Sequence, residues 1–302
     1  MTDTPPSGDL PRTGGDRPLF SVITATHNLI RNERQESFER VIACLRTQHA
    51  TAFEHIIQDG GSDDGTQAFV AKVTAGLNWV RFESRPDRSL YDGMNIAAAR
   101  SSGEYLLFLN SDDSLASSDL MARTARRLRR QRPDFAYGGT AWEEDTGQRI
   151  VSARTNMRAV LQRMPFGHNS VFIRRDVFHA LGGHDIRYRI AADYDLILRM
   201  IATGYHGLAL DDTVSLYWAR GASADDTQVG REYARIWQAF FARFLPELPS
   251  VETFETCYRQ GHMPAALLLR LLRTKGLPRP IAAAARHSLG KSLRRALQPW
   301  RK

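Results

Sequence analysis

Two adjacent aspartates follow one of the most apolar stretches of the chain. Tyr105-Leu-Leu-Phe-Leu109 is predicted to be a buried strand, and Asn110 and Ser111 separate it from Asp112 and Asp113. One or two carboxylates together with phosphate oxygens commonly hold Mg²⁺ or Mn²⁺ against a diphosphate. An aspartate here can also cap the next helix. Capping explains one aspartate but leaves the second unexplained, so the pattern favours a metal site.

An acidic turn with three glycines, Asp59 to Thr66, follows another predicted strand. Its glycines permit a close approach of the backbone to a ligand, and Asp59 can accept hydrogen bonds from a base or a ribose. An ordinary strand-to-helix turn capped by Asp64 or Thr66 explains the same composition equally well. The turn is not a P-loop, because it has no lysine and lacks the required spacing.

A further carboxylate, Asp193, stands at the predicted start of a helix that runs to Thr203. The positive end of the helix dipole is expected to lower the pKa of this carboxyl and keep it ionised. From the residues alone, a helix N-cap is the simpler interpretation of Asp193.

The elements that must position these carboxylates alternate between strands and helices. The predicted strands are 20–26, 55–58, 79–83 and 105–109, with helices at 33–47, 66–75 and 92–101 between them. A basic helix to residue 132, strands near 136 and 149, and a strand at 170–174 precede the helix at 193–203. This order predicts an α/β fold with a mostly parallel sheet flanked by helices. Ligands of such sheets bind beyond the carboxyl ends of the strands, where Asp59 and Asp112 fall.

Composition divides the chain into three regions. Residues 1–17 are polar, lack the apolar segment of a signal peptide and are expected to form a disordered leader. Residues 18–225 form the α/β domain, and residues 226–302 form a helical, basic extension. Its aromatic stripe is expected to pack in the core and comprises Trp237, Phe240, Phe241 and Phe244.

The net charge of +8 belongs to the C-terminal extension, because residues 256–302 hold eleven Lys or Arg and no acid. Basic helices that also carry leucines suit an anionic membrane surface. A packed helical cap with a solvated basic face and a nucleic-acid surface are the alternatives. The charges are not interleaved with aromatic residues as in RNA-binding proteins, so we expect no nucleic-acid partner.

The cellular location is predicted from cysteine use and hydropathy. The two cysteines, Cys44 and Cys257, are too few for a disulfide framework and suit the reducing cytoplasm. No apolar run approaches the roughly 18 residues of a spanning helix. We therefore expect a cytoplasmic protein, peripheral on the inner face of the cytoplasmic membrane.

Five motifs in fixed order resemble the family 2 glycosyltransferases of GT-A fold. The resemblance covers about Pro18 to Ser223, and the motifs are similar to those of small bacterial enzymes of exopolysaccharide assembly, of the colanic acid type. The motifs are Ser21–Asn28, Asp59–Thr66, Arg85–Asn95, Gly103–Asp113 and Ala192–Arg199.

The resemblance implies a UDP-, GDP- or dTDP-sugar donor, a divalent cation (Mn²⁺ or Mg²⁺) and a lipid-linked glycan acceptor. It assigns the metal to Asp112 and Asp113, the catalytic base to Asp193, and the acceptor side to His168 and Asn169. The residues it assigns to the donor are Thr24, Thr26, Asp59, Asp87, Arg88, Asp92, Asn95 and Ser111.

The implied reaction is a single displacement with inversion. A cation stabilises the departing diphosphate, one carboxylate accepts the proton of the incoming hydroxyl, and one base in one displacement inverts the anomeric centre. Asp195 is expected to serve the structure, and Gly221–Ser223 matches a loop that closes over the donor. None of the five tryptophans follows an arginine, so the Gln-x-x-Arg-Trp signature of processive synthases is absent.

Two other classes of function remain open on the sequence. A membrane-peripheral scaffold would keep the fold without turnover. A sugar nucleotidyltransferase would carry a glycine-rich basic loop after the first strand, whereas His27 to Asn32 contains no glycine.

Overall fold

The computed structural model describes residues 17–48, 52–143, 149–151, 156–217 and 226–296. The predicted leader, except for Arg17, and the predicted donor-closing loop at 221–223 lie outside these residues. The strands are β1 (Phe20–Thr26), β2 (Phe53–Asp59), β3 (Val80–Ser84), β4 (Tyr105–Phe108), β5 (Ser114–Leu115), β6 (Phe135–Glu143), β7 (Arg149–Val151), β8 (Val171–Arg174) and β9 (Gly207–Tyr217). The helices are α1 (Gln35–Arg46), α2 (Thr66–Val73), α3 (Leu90–Arg100), α4 (Leu120–Gln131), α5 (Arg175–Ala180), α6 (Ala192–Thr203), α7 (Asp226–Phe241), α8 (Val251–Gln260), α9 (Ala265–Leu272) and α10 (Arg279–Ala296).

The described strands form one sheet in the order β3-β2-β1-β4-β8-β6-β9-β5, with β7 paired to β6. Strands β1 to β4 are mutually parallel, as the alternation with helices predicts. Beyond β4 the sheet is mixed, because β8 runs antiparallel to both β4 and β6, while β6 and β9 are parallel. The α/β fold is therefore confirmed, and its parallel half is the part that the sequence located.

Local sequence explains the helices of the parallel half. Helix α1 buries Phe38, Val41, Ile42 and Leu45, which share one face at helical spacing. Strand β1 is buried along its whole length because helices cover both faces of a parallel sheet.

Four of the strands and helices lay outside the sequence prediction, namely β5, α5, β9 and α8. Strand β9 carries Asp211 and Asp212, which are unusual in strands; their carboxylates pair with Arg127 and Arg123 of α4 at 2.9 and 3.0 Å. Helix α8 follows a proline-rich segment, and its first turn is capped by the Ser250 hydroxyl. Arginines of α4 thus pair with the unusual aspartates of β9, and a local cap marks the start of α8.

Helix α7 is part of the same hydrophobic core as α6. Trp237 donates its indole N–H to the Tyr194 hydroxyl at 2.6 Å, and Tyr194 in turn donates to the carbonyl of Val160 at 2.5 Å. The rings of Tyr194 and Tyr233 stack with centroids 4.0 Å apart. Trp237 is 1 % exposed, which confirms that the predicted aromatic stripe packs in the core.

The apolar faces of α9 and α10 also pack against the protein. Leu268 and Ile281 are fully buried in the core shared with α6 and α7. Leu269 and Leu293 are exposed. Among the described residues, no helix combines the length and hydropathy that crossing a bilayer requires.

Candidate active site

A cavity of about 920 Å³ lies beyond the carboxyl end of β4. Asn110 to Asp112 line it after β4, and Asp193 lines it from the first turn of α6. Its remaining walls include Tyr91 and Met94 from α3 and Tyr233 from α7. The cavity thus lies beyond the strand ends, where the sequence predicts that a ligand binds.

The predicted site residues divide into two groups. The first group lines the cavity and consists of Ser111, Asp112, His168, Asn169 and Asp193. The second does not line it and consists of Thr24, Thr26, Asp59, Asp87, Arg88, Asp92, Asn95 and Asp113. The donor and metal roles of the second group stay predictions.

The Asp112 carboxylate projects into the cavity beside a guanidinium. Its Oδ2 accepts from Arg34 Nη1 at 2.8 Å, and the Asp112 side chain is 14 % exposed. Arg34 immediately precedes α1 and lies 78 residues away in the chain, so the sequence pattern did not reveal it. This pair places a guanidinium, which can bind an anionic group of a ligand, at the cavity wall.

Asp113 is buried next to Asp112, with its Oδ1 lacking any hydrogen-bond partner. Burial and the Asp112 charge raise its pKa to about 7, against hydrogen bonds from Asn169 and Asn110 that lower it. An orphaned carboxylate oxygen beside a second carboxylate is a chemically suitable donor set for a divalent cation. Among the described residues, no group of three or more His, Cys, Asp or Glu is arranged so that it could hold a metal ion by itself, so phosphate oxygens and water would complete such a coordination shell.

Asp59 fixes the turn that follows β2. Its Oδ1 accepts from Thr26 Oγ1 at 3.3 Å and from Ser62 Oγ at 2.5 Å, and its Oδ2 accepts from Ser62 N at 2.9 Å and Ser84 Oγ at 2.6 Å. These four bonds tie the ends of β1, β2 and β3 together. The structure thus shows Asp59 as an anchor of the turn.

Asp87 lies in a cradle between the turn and α3. A Cβ atom at Gly60 would stand 2.9 Å from Asp87 Oδ2, and one at Gly93 would stand 2.7 Å from it. Glycine is therefore required at both positions while this carboxylate keeps its place. Burial and the neighbouring Asp92 charge raise the pKa of Asp87. Asp92 itself accepts hydrogen bonds from Arg88 Nε and Nη2, each at 3.0 Å.

Thr24 and Asn95 connect elements of the fold. Thr24 Oγ1 donates to the carbonyl of Leu109 at 2.7 Å and lies 2.9 Å from His55 Nε2. Asn95 exchanges two hydrogen bonds with the backbone of His184, at 2.8 and 2.9 Å. These contacts hold β4 against β1 and α3 against the loop before α6.

His168 lines the cavity as a neutral ring. It stacks on Phe108 with centroids 5.1 Å apart, and its Nε2 lies 3.1 Å from His184 Nε2. Burial lowers the pKa of His168 to about 4. At neutral pH its ring can orient a hydroxyl but carries no charge.

Asp193 has the opposite pKa shift from the one that its helix position suggests. Burial raises its pKa to about 6, although the Tyr194 N–H, at 2.7 Å from Oδ1, and the Tyr91 hydroxyl oppose this shift. The expectation of a lowered pKa was wrong, because desolvation outweighs the helix terminus. Nor is Asp193 the N-cap: that position belongs to Ala191, which makes no side-chain cap bond.

The neighbouring carboxylate, Asp195, has a structural role as predicted. It accepts from Arg199 Nε at 2.7 Å one helical turn away and does not line the cavity. Arg199 also donates to the carbonyls of Leu181 and Gly183. The alternative of Asp195 as the base is therefore disfavoured.

Glu232 of α7 positions the loop that leads into α6. Its carboxylate accepts the backbone N–H groups of Arg189, Ile190 and Ala191, each at 2.8 Å. Nothing in the sequence singles out this glutamate, because its partners lie 41 to 43 residues earlier in the chain. The C-terminal helices thereby fix the backbone two residues before Asp193.

We expect Glu232→Gln to lower kcat by about tenfold, because it loses charge-assisted bonds that hold Asp193 in place. The charge of Glu232 also raises the pKa of Asp193, so the acid limb of the pH profile should move to lower pH. Glu247→Gln is the matched control, since Glu247 is 87 % exposed and pairs only loosely with Arg270. A variant with unchanged kcat and an unmoved limb would show that Glu232 does not position Asp193.

Comparison with known sequences gives consistent matches. The model of the family described as Glycosyl transferase family 2 matches residues 21–192. A PGL/p-HBAD biosynthesis glycosyltransferase of Mycobacterium tuberculosis is 32 % identical over 191 residues, which are 60 % of this chain and 69 % of that protein. An uncharacterized glycosyltransferase of the same species is 30 % identical over 188 residues, covering 60 % and 68 % of the two chains.

Comparison with solved structures supports the fold. TarS 1-349 of S. aureus in complex with UDP-GlcNAc superposes with a TM-score of 0.59 at 14 % identity, covering 92 % of each chain. The mannosyltransferase PcManGT of Pyrobaculum calidifontis in complex with GDP-Man and Mn²⁺ gives a TM-score of 0.58 at 16 % identity, covering 94 % of this chain and 82 % of that one. The GT-A architecture that the motifs imply is confirmed.

Proposed function

We propose that this chain, which belongs to glycosyl transferase family 2, transfers a single sugar from a nucleotide-sugar donor to a hydroxyl of a glycan acceptor, with inversion. The family membership read from the five motifs is confirmed. The observation that carries the proposed reaction is that Asp112 and Asp193 line the same cavity. One carboxylate is available for the donor's diphosphate side and another for the acceptor's proton.

On the donor side, Asp112, with Asp113 beside it, would hold a divalent cation. That cation would supply charge stabilisation to the departing diphosphate. Arg34 adds a guanidinium at the same wall of the cavity. We assign the remaining donor contacts to the turn at Asp59 and to the segment Asp87 to Asn95, as the motifs imply.

On the acceptor side, Asp193 would accept the proton of the attacking hydroxyl. Its pKa of about 6 leaves it mostly ionised at neutral pH while keeping it basic enough to take a proton. His168 and Asn169 line the same cavity and supply neutral polar groups that can orient the hydroxyl. A single base and one displacement support inversion.

The cellular role is proposed from the acceptor side of the cavity and from the tail. Met164, Phe166 and Val229 give the cavity an apolar wall that suits an acceptor with an apolar part. We therefore place the protein in assembly of lipid-linked surface glycans or exopolysaccharide, in the cytoplasm at the inner face of the membrane. One of the two mycobacterial relatives is named for PGL/p-HBAD biosynthesis, and the base-rich C-terminal helices suit contact with anionic lipid.

Thermal-shift screening of UDP-, GDP- and dTDP-sugars with and without Mn²⁺ tests the donor class. A donor that binds only the native state, present at 100 times its Kd, stabilises that state by about 2.7 kcal/mol. The resulting rise in melting temperature should require Mn²⁺. Release of nucleoside diphosphate and the anomeric configuration of the product then test turnover and inversion. Failure of every nucleotide sugar to raise the melting temperature or to turn over would refute the proposal.

A further inference from the structure

A group of basic residues, which we call the cationic rim and define as Arg158, Arg163, His287, Lys291 and Arg294, reaches the cavity wall through Arg163. Arg163 is exposed, lines the cavity and makes no ion pair with any described residue. Arg158, five residues earlier, is also exposed and makes no ion pair within the described chain. Without an acidic partner, the guanidinium of Arg163 at the cavity wall can bind an anionic group of a ligand.

Helix α10 contributes the rest of the rim. Lys291 Nζ donates to Gln162 Oε1 at 3.0 Å, which fixes α10 beside the residue that precedes Arg163. Burial lowers the pKa of His287, and the charges of Lys291, Arg158, Arg294 and Arg163 lower it further. The other four side chains of the rim therefore lie close enough to His287 for their charges to act on it.

The two segments that carry these five residues contain no acidic side chain that could neutralise their charge. Residues 156–167 and 256–302 contain no Asp or Glu. Uncompensated like charges repel one another and destabilise the protein locally. An anion bound at the rim would remove this repulsion, and guanidinium groups match the geometry of phosphate oxygens.

We infer that the cationic rim holds a phosphate-type anion carried by the acceptor. The inference rests on the proposed function and deepens it, because it names a chemical group that the acceptor must contain. Arg163 and Asp193 line the same cavity, so one acceptor molecule can present its hydroxyl to Asp193 and its anion to Arg163. The donor's diphosphate is assigned to the wall with Asp112 and Arg34 and does not account for the rim.

The test uses phenyl phosphate and phenol as a matched pair of soluble probes, with binding measured by calorimetry on the full chain. We expect binding of phenyl phosphate but not of phenol. The Kd for phenyl phosphate should rise by at least about tenfold in the double variant Arg158→Gln/Arg163→Gln, as expected for the loss of charge-assisted bonds. Arg130→Gln, an exposed arginine on α4 away from the cavity wall, should leave the Kd unchanged.

Three results would overturn the inference. These are equal binding of phenol and phenyl phosphate, no binding of either, and loss of phosphate binding in Arg34→Gln but not in the double variant. The third result would assign the anion to the donor side.

Vesicles separate an acceptor phosphate from a lipid surface. Sedimentation with phosphatidylglycerol vesicles, compared with phosphatidylcholine vesicles, measures membrane binding of the same variants. If the double variant loses vesicle binding and the wild type does not bind phenyl phosphate, the rim is a membrane surface and the inference is wrong. Nucleotide-sugar thermal shifts on the wild type report separately on the proposed function, so either claim can fail alone.

Discussion

Replacing Asp193 by Asn is expected to lower turnover of the nucleotide sugar by about 10²- to 10⁴-fold, the range contributed by a positioned general base. Asn has nearly the same shape, so the loss would come from the missing base. Donor binding, assigned to the Asp112 side of the cavity, is expected to persist. This variant should therefore lose turnover and still show the donor-induced rise in melting temperature.

The pH profile identifies the base independently of the substitution. Asp193 must be ionised to accept a proton, so wild-type turnover should rise with pH through its pKa of about 6. With that pKa, roughly a tenth of the carboxyl is ionised at pH 5 and nine tenths at pH 7. His168, whose pKa is about 4, stays neutral over this range. Asp113 has a pKa of about 7, and Asp113→Asn should leave the limb near pH 6.

Asp195→Asn is the matched control, because it makes the same chemical change two residues along α6. It breaks the 2.7 Å contact with Arg199, so a lower melting temperature is expected with the acid limb unmoved. If Asp193→Asn kept more than half of the wild-type turnover, or if Asp195→Asn alone abolished the limb, the assignment of the base would be wrong.

The parallel half of the fold could be predicted because its signals are local. Strand β1 was placed at its observed bounds of Phe20 to Thr26, since a β-branched run after a polar segment needs no distant partner. Strand β9 escaped prediction because aspartates such as Asp211 and Asp212 are rare in strands, and their arginine partners on α4 lie 84 and 89 residues earlier in the chain. A strand or helix can be predicted from the local sequence when residues close to it in the chain are sufficient to stabilise it.

The same distinction applies to the site. Asp112 and Asp193 could be named from ordered motifs, and the structure places both on one cavity. The direction of the pKa shift of Asp193 could not be derived from the sequence, because it depends on burial in the fold and on the charge of Glu232 in α7. Arg34 and Glu232 were missed for a related reason: the residues that each of them contacts lie more than 40 residues away in the chain.

Replacing Asp112 by Asn is expected to reduce turnover by two to three orders of magnitude, because a bound cation supplies several kcal/mol of charge stabilisation. The Mn²⁺-dependent part of the donor's thermal shift should disappear with it. This substitution also breaks the ion pair with Arg34, so activity alone cannot distinguish a lost metal ligand from a lost structural contact.

Arg34→Met makes that distinction, because it breaks the same 2.8 Å pair and leaves the Asp112 carboxylate in place. If Asp112 holds the cation, its oxygen becomes free for the metal, and Mn²⁺ should bind at least as tightly as in the wild type. Donor affinity should nevertheless fall, since the guanidinium at the cavity wall is gone. The two substitutions are thus expected to change Mn²⁺ affinity, measured by calorimetry, in different ways. Equal loss of Mn²⁺ binding in both variants would show that the ion pair, rather than coordination by Asp112, accounts for the metal dependence.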